Sequence, residues 1–289
     1  MSTPQAPAAN RPPAEKAAHP RTVSPLMRIA ARVSESLVVP ILLVVTWVWL
    51  SAANVINPLF LPGPAQVWRS FRGMEASLGS AISSTILTTL VGFAVGTVVG
   101  VLIGLLLAYS KHVRILLGGI FDALRPIPVF ALIPLFILWF GLGRTPQIVL
   151  VGFGTAVVLV VTTLEAIRNV TPTYVKAALN LGASRSFIYR TVVIPSISPH
   201  LVGAVRVSAA ASWGLGVAAE MIGAQKGLGY LMINRQNYLD TAGIIVIVVI
   251  YGVIAYLVDV LIRIGQRRLL RWTERDQMAA PVGSVLGAL

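Results

Sequence analysis

Charge inside a bilayer core is costly and is kept for pairing, ion handling or substrate, so ionisable residues in apolar stretches come first. Arg206, Glu220, Asp259 and Arg263 stand in such stretches, as do Asp122 and Arg125. Arg206 offers a positive charge to an anionic solute. Snorkelling or pairing near the cytoplasmic interface is the favoured reading, because Arg206 falls in the cytoplasmic half of its span. Glu220 falls toward the outer end of the same span, placed to face an external protein or to cap the outer loop. The i, i+4 spacing of Asp259 and Arg263 predicts an intrahelical pair, and Asp122 and Arg125 at i, i+3 predict another. His19, His112 and His200 fall in a tail, a loop and a Pro-rich hinge, away from any partner carboxylate. With no cysteine in the chain, thiolate metal sites, disulfides and cysteine nucleophiles are excluded. No Gly-x-x-x-x-Gly-Lys-Ser/Thr loop occurs, so the chain cannot hold ATP in that way. These residues argue against an intramembrane enzyme.

A second set of residues is suited to docking. The connection from Glu165 to Pro195 is the longest polar interruption of the apolar region, and its segment 171–195 carries the docking residues. Thr171-Pro172 reads as a helix start, with Thr as N-cap and Pro at the first helical position. Gly182 ends that helix in a left-handed conformation, and Ser184 caps a second helix to about Val193. Pro195 and Pro199 then break the chain before the next span. The product is a helix–Gly–helix hairpin presenting Leu179, Phe187, Ile188 and Tyr189 between Arg185 and Arg190. An amphipathic hairpin resting in lipid headgroups is the bland alternative. A channel or carrier working alone has no use for such a hairpin.

The elements that must position these residues follow from composition. Of 289 residues, 56% are hydrophobic and only 11% are charged, against about a quarter charged in soluble domains. The chain is therefore an all-α polytopic membrane protein. Six apolar spans are predicted at about 37–55, 82–109, 113–140, 146–164, 196–222 and 242–264, with a short polar helix near 65–71. Residues 1–35 read as a disordered tail and 273–289 as a second tail, leaving 36–272 as the membrane domain. Leu37–Val55 is a retained first span, since the polar segment before it is too long for a signal peptide. Pro126, Pro128 and Pro134 are expected to kink or break the third span, and Arg125 stands beside them. Gly92, Gly96, Gly100 and Gly104 recur every fourth residue, a ridge that lets another helix approach closely, within the subunit or between copies.

Basic residues concentrate in the tails, around Lys111 and Arg114, and in the hairpin region. Only Arg69, Arg72, Arg144, Lys226 and Arg235 fall on the other side. That asymmetry places both termini in the cytoplasm. It accounts for the net charge of +13 without nucleic acid as a partner.

Lys176-Ala177-Ala178, three residues, Gly182, nine residues, then Val192-Val193-Ile194-Pro195 resembles the Glu-Ala-Ala motif of ABC importer permeases. The spacing is kept in full, with Lys176 in place of the motif's Glu. Asn57–Pro62, Arg125–Pro128, Ile137–Gly143, Ala219–Ala224 and Lys226–Tyr230 are similar to the subfamily of sulfonate, taurine and nitrate importers, over roughly 37–272. The resemblance implies a type I ABC importer permease fold in a bacterial inner membrane, with the chain acting as a transport subunit and not an enzyme. It implies a second copy of the chain, two separate cytoplasmic ATPases carrying ATP and Mg, and an extracytoplasmic solute-binding protein. On that basis Lys176, Ala177, Ala178, Leu181, Gly182, Ala183, Ser184, Phe187 and Pro195 form the ATPase dock. Arg125, Pro126, Pro128, Arg206, Glu220 and Met221 are candidates for the translocation path or gate. Taurine or another alkanesulfonate is the first expectation for the solute, with nitrate or bicarbonate next.

Overall fold

The structure, a computed structural model, describes residues 25–269 and the side chains of residues 38–266. The two tails expected at 1–35 and 273–289 fall outside those residues, wholly or for the most part. One unit ends at Val55, and its helix α1 (Pro25–Ala52) carries an exposed apolar surface at Val39, Leu42, Leu43 and Trp49.

The second unit begins at Ile56. Helix α2 (Pro64–Tyr109) is one uninterrupted rod of 46 residues. It fuses the short polar helix and the second span, which the sequence reading separated. At 1.5 Å per residue it is about 69 Å long, more than twice a hydrocarbon core of about 30 Å. No proline follows Pro64 in it, and isolated glycines such as Gly73 cost a helix only about 1 kcal/mol each. Its start is fastened where the Gly63 N–H donates to Gln66 Oε1 at 3.0 Å.

Helix α3 (Lys111–Leu124), a 3-10 turn over Val129–Leu132 and helix α4 (Ile133–Phe140) replace the single third span. The two halves meet at 95°. Pro126 and Pro128 sit in the break. Pro134 is in the first turn of α4, where its missing N–H leaves no bond unmade, so it breaks nothing. Helix α5 (Arg144–Arg168) follows. After the hairpin helices α6 (Pro172–Asn180) and α7 (Arg185–Ile188) come helix α8 (Ile194–Gly223), helix α9 (Leu228–Asn237) and helix α10 (Thr241–Leu269).

Pro195 and Pro199 do not interrupt the chain: helix runs from Arg185 to Gly223. Tyr189–Val193 is a π turn, wider than an α turn, and it gives the Pro195 ring room where an α turn would clash with the carbonyl four residues back. Among the described residues four helices are long and apolar enough to cross a bilayer, five if the bent pair counts as one. Val38–Ala52 is a shorter apolar helix.

The glycine ridge packs within the chain. A Cβ on Gly96 would lie 2.3 Å from the Gly152 carbonyl oxygen, and one on Gly100 would lie 2.7 Å from that of Ala156. Gly92 and Gly104 face Val151 and Thr163 in the same way. Helices α2 and α5 therefore touch backbone to backbone. Two apolar clusters complete the packing: Met74, Leu78, Leu228 and Ile247 join α2, α9 and α10, and Ile133, Phe136, Leu150 and Ala219 join α4, α5 and α8.

Candidate functional site

The hairpin α6–α7 is closed by hydrogen bonds that only a left-handed residue permits. Gly182 has φ +77°. Its N–H donates to Leu179 O at 2.9 Å, while the Ala183 N–H reaches back to Ala178 O at 3.0 Å. This pair of bonds is the Schellman arrangement. A Cβ on Gly182 would meet nothing within 4 Å, so the requirement there is conformational and not steric. Ser184 caps α7 by accepting from the Phe187 N–H at 3.3 Å. Thr171 occupies the N-cap position of α6, but its side chain makes no capping bond.

The apolar face of the hairpin differs from the one read in the sequence. Tyr174, Leu179, Leu181 and Phe187 are exposed, Leu181 to 87%. Ile188 is buried at 5%, and Tyr189 turns inward. Those two anchor the hairpin. The Tyr189 hydroxyl donates to Leu105 O at 2.7 Å and its ring stands edge-on to Tyr109 with centroids 5.1 Å apart. Arg185 donates to Tyr109 O and lies over the Tyr109 ring at 5.1 Å. The Tyr109 carbonyl, at the C-terminus of α2, lacks a helical partner and carries partial negative charge, so a cation fits there. Lys176, Ala177, Leu181, Gly182 and Ser184 are exposed around the turn, Ala178 and Ala183 are half-buried, and Pro195 lies beyond the π turn.

At the opposite end of α5 and α8, Glu220 is 1% exposed. Its Oε2 accepts from Thr85 Oγ1 and from the Gly229 N–H, both at 2.9 Å, while the Leu228 N–H donates to Thr85 Oγ1 at 2.9 Å. A carboxylate and a hydroxyl thereby cap the N-terminus of α9, where negative charge is favoured. Gly227 and Gly229 are needed for this: a Cβ on Gly227 would lie 2.5 Å from the Glu220 carboxyl carbon. Thr85 was missed in the sequence, where 135 positions separate it from Glu220 and a lone Thr in an apolar helix carries no signal. Met221, next in the chain, is half-buried.

Arg206 is held at two points by Asp259 of α10, Nε to Oδ1 at 2.9 Å and Nη2 to Oδ2 at 3.2 Å. Asp259 also takes Arg263 one turn on. Arg125, at the α3–α4 break, pairs with Glu165 at 3.0 Å and not with Asp122, because the bend turns it toward the end of α5. Pro126 and Pro128 are exposed beside it. A cavity of about 460 Å³ opens between the break, α5 and α8, lined by Pro128, Phe130, Thr155, Ser208 and Ser212 among others. The Thr155 and Ser208 hydroxyls have no partner among the described residues.

A profile of the binding-protein-dependent transport system inner membrane component matches residues 96–272. The taurine transport system permease protein TauC of Escherichia coli K12 is 28% identical over 80% of this chain and 86% of its own. The putative aliphatic sulfonates transport permease protein SsuC of the same organism is 32% identical over 81% and 89%. Among solved structures, the inward-facing MetNI methionine ABC transporter matches with a TM-score of 0.59 at 22% identity, over 69% of this chain and 97% of its own. Fold, profile and relatives agree: the chain belongs to the binding-protein-dependent transport system inner membrane component family and is the membrane-spanning permease subunit of an ABC importer, not an enzyme.

Proposed function

We propose that two copies of this chain form the path of a small anionic solute, taurine or another alkanesulfonate first, with nitrate or bicarbonate next. Cytoplasmic ATPases that carry ATP and Mg dock on hairpin 171–195 of each copy, and an extracytoplasmic binding protein delivers the solute at the other end. Closure of the ATPases pushes the hairpins and alternates access between the two sides. The observation that carries this reading is the exposure of Tyr174, Leu179, Leu181 and Phe187 on a hairpin anchored to α2 through Tyr189. Exposed apolar groups on a turn that also carries Lys176, Arg185 and Arg190 are what a protein partner covers. The concentration of basic residues in the tails and the hairpin region supports a cytoplasmic placement of both termini. The alkanesulfonate assignment is supported by the functions named for TauC and SsuC.

The test is reconstitution of the chain with a candidate ATPase and binding protein in liposomes. Leu181→Asp and Phe187→Asp are expected to weaken ATPase association by about 2 kcal/mol or more, the scale of a buried interface anchor, and to abolish solute-stimulated hydrolysis. Undiminished co-purification and stimulated hydrolysis in both variants would remove the dock. Uptake of taurine, nitrate and bicarbonate by the wild type, compared side by side, decides the solute.

A further inference from the structure

The loop between α4 and α5 and the loop between α8 and α9 come together at the end of the chain remote from the hairpin. They are tied by the Gly143 N–H donating to Gly223 O at 3.1 Å. Between them lies a niche of about 370 Å³ lined by Gly143, Arg144, Gln147, Gln225 and Lys226. Its lining contains two cations, two amides and no acid. Neither Arg144 nor Lys226 joins an ion pair among the described residues.

Helix α5 starts in this niche, with Gly143 at its N-cap, no side-chain cap and no acid in its first turn. The N–H groups of Arg144 and Thr145 make no bond to the chain among the described residues, and a helix N-terminus presents such donors with a partial positive charge. A second observation is independent of the helix end. Gln147 is only 2% exposed and lines the niche, and its side chain has no hydrogen-bond partner among the described residues. Buried amides are ordinarily paired, so this one is poised for a group that enters the niche.

We propose that this niche is an oxyanion seat that takes the sulfonate or carboxylate head of a small solute at the mouth of the chain. Arg144 and Lys226 supply charge, Gln147 and the first N–H groups of α5 supply directed donors, and Gly143 leaves the approach clear, since a Cβ there would meet nothing within 4 Å. Charge-assisted bonds to an anion are about twice as strong as neutral ones, and an organic cation finds no acceptor charge here. The outward orientation of the seat rests on the reading given under Proposed function; its chemistry does not.

The test uses the full chain with its ATPase in zwitterionic-lipid nanodiscs and ethanesulfonate as probe. Acylation of Lys226 by an amine-reactive reagent is followed by mass spectrometry, with Lys111 as internal control. At a probe concentration of about twice the dissociation constant, Lys226 acylation is expected to slow about threefold by mass action. Tetramethylammonium, a cation with no acylatable nitrogen, leaves it unchanged at equal ionic strength. The protection is expected to disappear in Arg144→Gln and in Gln147→Leu and to persist in Arg144→Lys, with an unaltered Lys111 rate reporting an intact fold. An unchanged Lys226 rate in the wild type, or equal slowing at Lys111, overturns the proposal. Protection produced by added phosphatidylglycerol and not by ethanesulfonate also overturns it, in favour of a lipid headgroup. Absence of taurine uptake by the wild-type complex, with Lys226 protection intact, overturns the solute assignment and leaves the seat standing.

Discussion

Removing the Glu220 carboxylate strands the Gly229 N–H and the Thr85 hydroxyl together in a site closed to water. Each unpaired buried donor costs about 1–3 kcal/mol, so Glu220→Ala is expected to lower the thermal unfolding midpoint sharply in micelles. Glu220→Gln keeps an acceptor oxygen and is expected to lose less. Tyr189→Phe deletes one bond, to Leu105 O, worth about 1 kcal/mol. Its expected signature is kinetic: ATPase binding is retained while solute imported per ATP hydrolysed falls. A ratio equal to the wild type would show that the hydroxyl only packs. Some of this chemistry was legible in the residues themselves. The i, i+4 spacing found Asp259–Arg263, and the position of Gly182 foretold its left-handed turn. The partner of Arg206 was not legible, since 53 positions separate it from Asp259 and only the meeting of α8 with α10 brings them together.

At the level of elements, the contact of α2 with α5 sets opposite signs for two glycine substitutions. Gly96→Ala drives a methyl into the Gly152 carbonyl oxygen at 2.3 Å. Backbone faces it from a packed helix, so the helices must part, at about 1–3 kcal/mol. Gly73→Ala, in the same helix, meets nothing within 4 Å and is expected to gain up to about 1 kcal/mol from lost unfolded-state freedom. Unfolding midpoints of the two variants in one detergent check both signs. The four-residue glycine period was visible in the sequence, but which helix fills the groove is a tertiary fact. The break at Pro126 and Pro128 was visible because proline removes a donor wherever it falls inside a helix. The π turn at Tyr189–Val193 was not, because a widened turn has no side-chain signature and lets Pro195 pass where a break was expected.

For the whole molecule, orientation is directly measurable because the chain has no cysteine. Ser186 lies on the hairpin, and Tyr238, 84% exposed, lies between α9 and α10. Ser186→Cys is expected to react with a membrane-impermeant maleimide only after the cells are opened, and Tyr238→Cys in intact cells. The reverse pattern would invert the topology. The helix from Arg185 to Gly223 has a mechanical consequence. Under the proposed function it would work as a drive shaft, with the proposed ATPase dock at one end and the outer loops at the other, and no joint between them in which motion could be lost. Its single collar is the π turn. Two glycines inserted there would turn that collar into a slipping clutch, so that fuel is still consumed while no cargo moves.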